Sequence, residues 1–205
     1  MTLSSALLDE AVDQLATLPG IGRRTAMRLA LDLMRREVPE VVRFSEALRR
    51  MREELQRCTV CCNISDGPVC AICNDPRRDN GLVCVVEDIR DVIAIEQTHQ
   101  YRGRYHVLGG VISPLDNIGP DDLSGDELQQ RVRSGGVTEV ILALRATVEG
   151  DTTAFYIARR LSSHGVTIST LARGISVGGE LDQADELTLG RSIVDRKPYE
   201  QGIKR

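Results

Sequence analysis

Apolar residues recur at helical spacing in the first quarter of the chain and in short β-branched runs beyond it. Leu8, Val12 and Leu15 follow Ser4 and Ser5, residues able to cap a helix, and predict a first helix to about Leu18, where Pro19-Gly20 stops it. A second helix starts after Ile21-Gly22, with Ala26, Leu29, Ala30 and Leu33 on one side. Pro39 interrupts, and a third helix sets Val41, Phe44, Leu48, Met51 and Leu55 on one stripe. Residues 58–73 are irregular, with Gly and Pro, and residues 75–81 (Asp-Pro-Arg-Arg-Asp-Asn-Gly) are turn chemistry, so a domain boundary is expected near residue 80. Past it, strands at 82–86, 105–108, 140–144 and 166–171 alternate with helices at 92–97, 126–133 and 152–161, the rhythm of an α/β domain with a mostly parallel sheet. Between residues 109 and 125 lies a Gly/Pro/Asp-rich loop too long to be a bare connection.

Composition narrows the class. Of 205 residues, 41% are hydrophobic and 27% charged, which rules out a disordered chain or a fibre. No apolar run approaches the roughly 18 residues of a membrane span, and the first residues lack a basic segment before an apolar one, so a cytoplasmic protein without membrane contact is expected. Two Phe, four Tyr and no Trp disfavour a single-strand binder built on aromatic platforms. The net charge of −4 hides an uneven distribution, because residues 23–57 carry ten Arg against six acids.

Three constellations carry chemistry. In Leu18-Pro19-Gly20-Ile21-Gly22-Arg23-Arg24 the glycines allow a tight turn and close approach to a phosphate. The free N–H groups of the following helix attract the anion, and Arg24 and Arg28, one turn apart, add charge on the same track. That is the pattern of a helix-hairpin-helix binding DNA without regard to sequence; the alternative is a glycine turn with solvated arginines. Cys58, Cys61, Cys70 and Cys73 form two CxxC knuckles suited to one structural Zn²⁺, with Cys62 a possible substitute for Cys61 and Cys84 a core thiol. Glu87 ends the first α/β strand, and the third runs into Arg145-Ala146-Thr147-Val148-Glu149-Gly150-Asp151. Together these segments resemble a Toprim domain, whose catalytic members pair the glutamate with a DxD motif to hold Mg²⁺; here Arg145 and Thr147 stand at the two aspartate positions. His99, His106 and His164 are isolated, and no phosphate-binding GxxxxGK[ST] motif is present.

Hairpin, four cysteines and Toprim segment in that order, with Asn74-Asp75-Pro76-Arg77-Arg78, residues 113–120 (Ser-Pro-Leu-Asp-Asn-Ile-Gly-Pro) and Val177-Gly178-Gly179-Glu180-Leu181, resemble the RecR family of bacterial recombination mediators over almost the whole chain. The resemblance implies a multidomain α+β fold: a helix-hairpin-helix region at 1–57, a C4 zinc finger at 58–73, a Toprim domain at 81–176 and a tail at 177–205 that makes oligomer contacts. It implies a non-catalytic protein that acts with RecO and RecF to load RecA at single-strand gaps, with one Zn²⁺ per chain. It also implies a tetrameric ring around gapped, single- or double-stranded DNA. Gly20, Gly22, Arg24 and Arg28 match the DNA-contacting positions, and Glu149 matches an acidic position implicated in binding RecO. Arg145, Asn117, Arg173 and Ser176 depart from the usual residues. The rival readings are a Mg²⁺-dependent Toprim nuclease using Glu87, Glu149 and Asp151, and a pure protein scaffold.

Overall fold

The computed structural model describes residues 5–175, 178, 180–196 and 198. Ser4, Ser176, Val177, Gly179 and the basic end of the tail lie outside them. The chain divides into two compact units between Leu55 and Gln56.

The first unit is helical. α1 (Ala6–Ala16) is capped by Ser5, whose side chain accepts the Leu8 N–H, and ends where the Thr17 hydroxyl donates to the Gln14 carbonyl. α2 (Arg23–Arg35) presents Ala26 and Ala30, small enough to bring it close to α1, and both are buried with Val12. α3 (Val38–Glu54) takes Pro39 in its first turn, where no intrahelical N–H bond is lost. The stripe expected on α3 is present but mostly uncovered in the single chain: Phe44, Leu48, Met51 and Leu55 are exposed, Val41 is half-buried, and no residue of the helix is buried.

The second unit joins the cysteine segment to the sheet. β1 (Gln56–Arg57) and β2 (Ile64–Ser65) pair antiparallel around the first knuckle, and α4 (Ala71–Asn74) carries the second. β3 (Asp79–Val86), α5 (Ile89–Gln97), β4 (Gly103–Val107), α6 (Gly125–Arg133), β5 (Glu139–Leu142), α7 (Val148–Leu161) and β6 (Thr167–Thr170) follow, and α8 (Glu186–Val194) closes the described chain. The four long strands are parallel in the order β4-β3-β5-β6, and both faces are covered. Alternation along β3 divides two cores, Val83 and Val85 packing with Leu128, Ile157 and Leu161, while Cys84 and Val86 pack with Val92 and Tyr105. Cys84 is the core thiol expected of it.

α5 and α7 start earlier than the apolar pattern places them, because polar residues cap them. Asp88 and Asp91 form a capping box that starts α5, and the Thr147 side chain accepts the Gly150 N–H at the head of α7. The unit boundary falls upstream of the turn at 75–81. The Val107 N–H donates to the Cys61 carbonyl (2.8 Å) and Ile72 packs against the core around Cys84, so the cysteine segment is built onto the sheet.

Candidate nucleic-acid interface and metal centre

The hairpin turns at Gly20, whose φ of +78° lies in the left-handed region that side chains resist, and the Ile21 N–H donates to the Leu18 carbonyl across it (3.1 Å). Gly22 is the N-cap of α2 and brings no side chain to its first-turn amides, and no acid stands in that turn. The helix therefore offers bare N–H groups and the positive end of its dipole to an external anion. Its first arginine is not available: Arg23 folds back onto Asp9 (2.9 Å) and Asp13 of α1, fixing one helix on the other. Arg24 and Arg28 are exposed, and neither has a hydrogen-bond or ion-pair partner among the described residues. Arg35 shares these properties and, at i+7 from Arg28, continues the same stripe. Helical spacing alone makes Arg35 legible in the sequence, and sequence reasoning centred on the hairpin missed it.

The four predicted cysteines converge. The Sγ atoms of Cys58, Cys61, Cys70 and Cys73 all lie within 4.8 Å of one another and all four residues are buried. Four sulfurs bound about 2.3 Å from one tetrahedral ion sit roughly 3.8 Å apart, and the Cys61 and Cys70 sulfurs are separated by 3.6 Å. Backbone N–H groups of Cys70 and Cys73 donate to the Cys58 and Cys70 sulfurs (3.3 and 3.4 Å), the outer support that thiolate ligands need. Burial opposes ionisation of Cys58, but N–H donation from Cys70, Val60 and Cys61 prevails and brings its thiol down to about 7. The Cys61 thiol, hydrogen-bonded to Cys73 and buried, is pushed up, and burial takes Cys70 up to about 11. Without a cation this set resists complete deprotonation; a Zn²⁺ held by all four supplies the missing charge and ties the two knuckles together. Cys62 is not a ligand. Its positive φ of 61° places it past the turn closed by its own N–H on the Cys58 carbonyl (2.9 Å), and its side chain meets Ser124 instead.

The third constellation is neutralised from within. Strand order makes the β3–β5 crevice the place where connections diverge, the usual ligand position of such sheets. Glu87 is buried there at the end of β3. One of its oxygens accepts the Arg145 backbone N–H (2.7 Å) and the other the Arg145 Nε (2.6 Å), with a further ion pair to the same guanidinium. The backbone turn that allows this depends on Gly150: a Cβ there would lie 2.0 Å from the Arg145 carbonyl oxygen. Asp151 is drawn away by Arg173 (2.7 Å) and Arg191 (3.3 Å), which lower its pKa. Glu149 is half-buried beside Thr147, and its own backbone N–H followed by the Thr147 hydroxyl lowers its pKa. Glu87, Glu149 and Asp151 thus share no common ion site, and among the described residues only the cysteines form a potential metal group. His106 is a core histidine whose Nε2 meets the Ser124 carbonyl (2.8 Å).

Residues 8–52 match the family model described as RecR, helix-hairpin-helix; residues 55–75 match that of the RecR four-cysteine zinc finger domain; residues 81–172 match Toprim domain; and residues 174–197 match RecR, C-terminal. Among curated proteins, Recombination protein RecR of Porphyromonas gingivalis is 57% identical over 200 residues, covering 98% of this chain and 97% of that protein. Recombination protein RecR of Bacteroides thetaiotaomicron is 58% identical over 192 residues, covering 94% of each. The Flavobacterium johnsoniae protein of the same name is 52% identical over 204 residues, covering 100% of this chain and 99% of that one.

Proposed function

The chain belongs to the RecR family, and from that premise we propose that it is a non-catalytic, DNA-binding mediator of recombinational repair. In this reading it works in the cytoplasm with RecO and RecF to load RecA at single-strand gaps. One observation carries the DNA reading: Arg24 and Arg28 stand exposed and without acidic partners among the described residues beside the bare N-terminus of α2, where Gly20 and Gly22 leave room for a backbone phosphate. Such contacts ignore base identity, so binding is non-specific and salt-sensitive on gapped, single- or double-stranded DNA.

A chain with net charge −4 needs help to hold a polyanion. A tetrameric ring supplies it by lining one channel with several copies of the hairpin, each adding to the effective concentration of cations. The tail beyond residue 177 takes part in that assembly, and Glu149 at the head of α7 docks a basic partner surface on RecO. The absence of chemistry rests on the Glu87–Arg145 pair, since a guanidinium occupies the carboxylate that a Mg²⁺ would require.

Equilibrium binding to a gapped duplex across a salt series, comparing wild type with Arg24→Ala/Arg28→Ala, tests the central claim. A steep slope that flattens in the variant is expected; equal slopes place DNA binding elsewhere. Mg²⁺-dependent nicking of supercoiled plasmid that disappears in Glu87→Gln would instead establish the nuclease reading.

A further inference from the structure

The β4 edge of the sheet is closed by groups of different origin, among them the Ser124 hydroxyl, which donates to the Val107 carbonyl (2.6 Å). β4 is an outer strand, and its odd-numbered residues turn their backbone polar groups away from β3. The Gly103 carbonyl accepts from Arg78 (3.3 Å), the Tyr105 carbonyl accepts from Arg131 Nη1 (2.7 Å), and the Val107 N–H donates to the Cys61 carbonyl. Arg131, from the last turn of α6, is therefore held two residues along the strand from the point where the cysteine knuckle is bonded to it.

That single carbonyl is the only hydrogen-bond acceptor Arg131 has among the described residues, although a guanidinium carries five N–H donors. Its charge interacts favourably with the sulfurs of Cys73 and Cys61 and unfavourably with Arg104. The Arg104 Nε is itself buried with no hydrogen-bond partner among the described residues. No carboxylate forms an ion pair with either arginine among the described residues. A partly buried cation at the strand edge that the first knuckle is bonded to calls for an anion, and the cysteine cluster becomes one when loaded: four thiolates around one dication leave a net charge of −2. Burial pulls the Arg131 guanidinium below the ordinary arginine range, and the sulfurs act against that pull.

We infer that Arg131 is the counter-cation of the zinc tetrathiolate, a charge-compensating residue that the α/β domain supplies to the metal site and that links metal retention to the edge of the sheet. A buried ionic centre is stable only when its charge is matched, and outer groups of this kind govern how firmly ligands hold their metal.

The test uses the zinc-loaded full chain and the rate of zinc transfer to a chromogenic chelator, comparing wild type, Arg131→Gln and Arg131→Lys, with Arg133→Gln as a control on the same helix. Release from Arg131→Gln should be about tenfold faster, while Arg131→Lys, which keeps the charge, stays near wild type. If Arg131 merely closes the Tyr105 carbonyl, glutamine still offers a donor and zinc retention is unchanged, or Gln and Lys accelerate release equally; either result overturns the inference. Arg131→Met repeats the neutral comparison if Arg131→Gln does not fold. Cobalt-substituted protein gives an independent reading on the equilibrium sample. Loss of a neighbouring positive charge moves the sulfur-to-cobalt charge-transfer band to longer wavelength in a neutral variant and leaves it in place in Arg131→Lys, and an unmoved band in the neutral variant overturns the proposal.

Discussion

The two units deploy arginine in opposite ways. In the helical unit Arg24, Arg28 and Arg35 line one exposed stripe of α2 with no internal partner among the described residues, while Arg23, one position earlier, is tied to α1 by two aspartates. In the sheet unit a second set of arginines is held by internal partners: Arg78 grips Glu96, Arg145 fills the Glu87 site, Arg173 and Arg191 share Asp151, and Arg131 donates to the sheet edge at Tyr105. The same side chain is left to solvent or to an external anion where nothing satisfies it and is architectural where something does. Residue type alone does not separate these roles, and partner geometry does.

This contrast is broken most severely at the metal. Cys70→Ser removes one of four ligands, and because metal binding is part of the folding free energy of such a site, the loss should lower the melting temperature by about 10 °C or more. Zinc content by chelator assay and thermal unfolding of the sheet unit check this, and full stability in a metal-free protein would refute a structural role. The hairpin unit should be indifferent to the change.

His106 sharpens the inward half of the comparison. Burial lowers its pKa from 6.5 to about 4, with Arg131 and Arg57 also disfavouring the charged ring. The unfolded chain therefore takes up the proton first as pH falls, so stability is full above pH 6.5 and declines towards pH 4, by about 3 kcal/mol in all. Urea unfolding of wild type and His106→Gln at several pH values should show this slope in the first and not the second.

The outward half is tested by Arg24→Ala/Arg28→Ala. Loss of two phosphate contacts per chain should flatten the log–log salt slope by about 2 for each hairpin that engages the DNA and weaken binding at physiological salt by at least roughly tenfold to a hundredfold. Unfolding should scarcely change, since neither side chain has an internal partner among the described residues. The reverse profile is expected of Arg145→Ala. Its guanidinium is 52% exposed, so screening limits the destabilisation to about 1 kcal/mol, and DNA affinity should stay within about twofold.

Much of this was legible in the chain itself. The cysteine spacing named all four ligands, and the apolar β-branched run at 82–86 marked the first strand of the sheet, though not the two cores it divides. The departure at Arg145 signalled a carboxylate site without its metal partners. What escaped depends on contacts between segments far apart in sequence. The exclusion of Cys62, which the spacing allows as a substitute for Cys61, follows from a backbone turn at Cys62. The place of the cysteine segment on the sheet follows from one bond, Val107 to Cys61, and the isolation of Arg28 from Arg23 follows from where α1 puts its aspartates. Periodicity also marked the apolar stripe of α3 without saying that the single chain leaves it mostly uncovered.

The sealing of β4 has a consequence for the life of the protein in a crowded cell. A bare outer strand is a template on which other chains can add strands and grow into aggregates. Here a metal-supported knuckle occupies that template at Val107 and two guanidinium groups occupy it at Gly103 and Tyr105. A nascent or metal-starved chain lacks the firmest of these guards. Shortage of zinc should therefore appear as insolubility and clearance by proteases, with the surviving soluble molecules still competent.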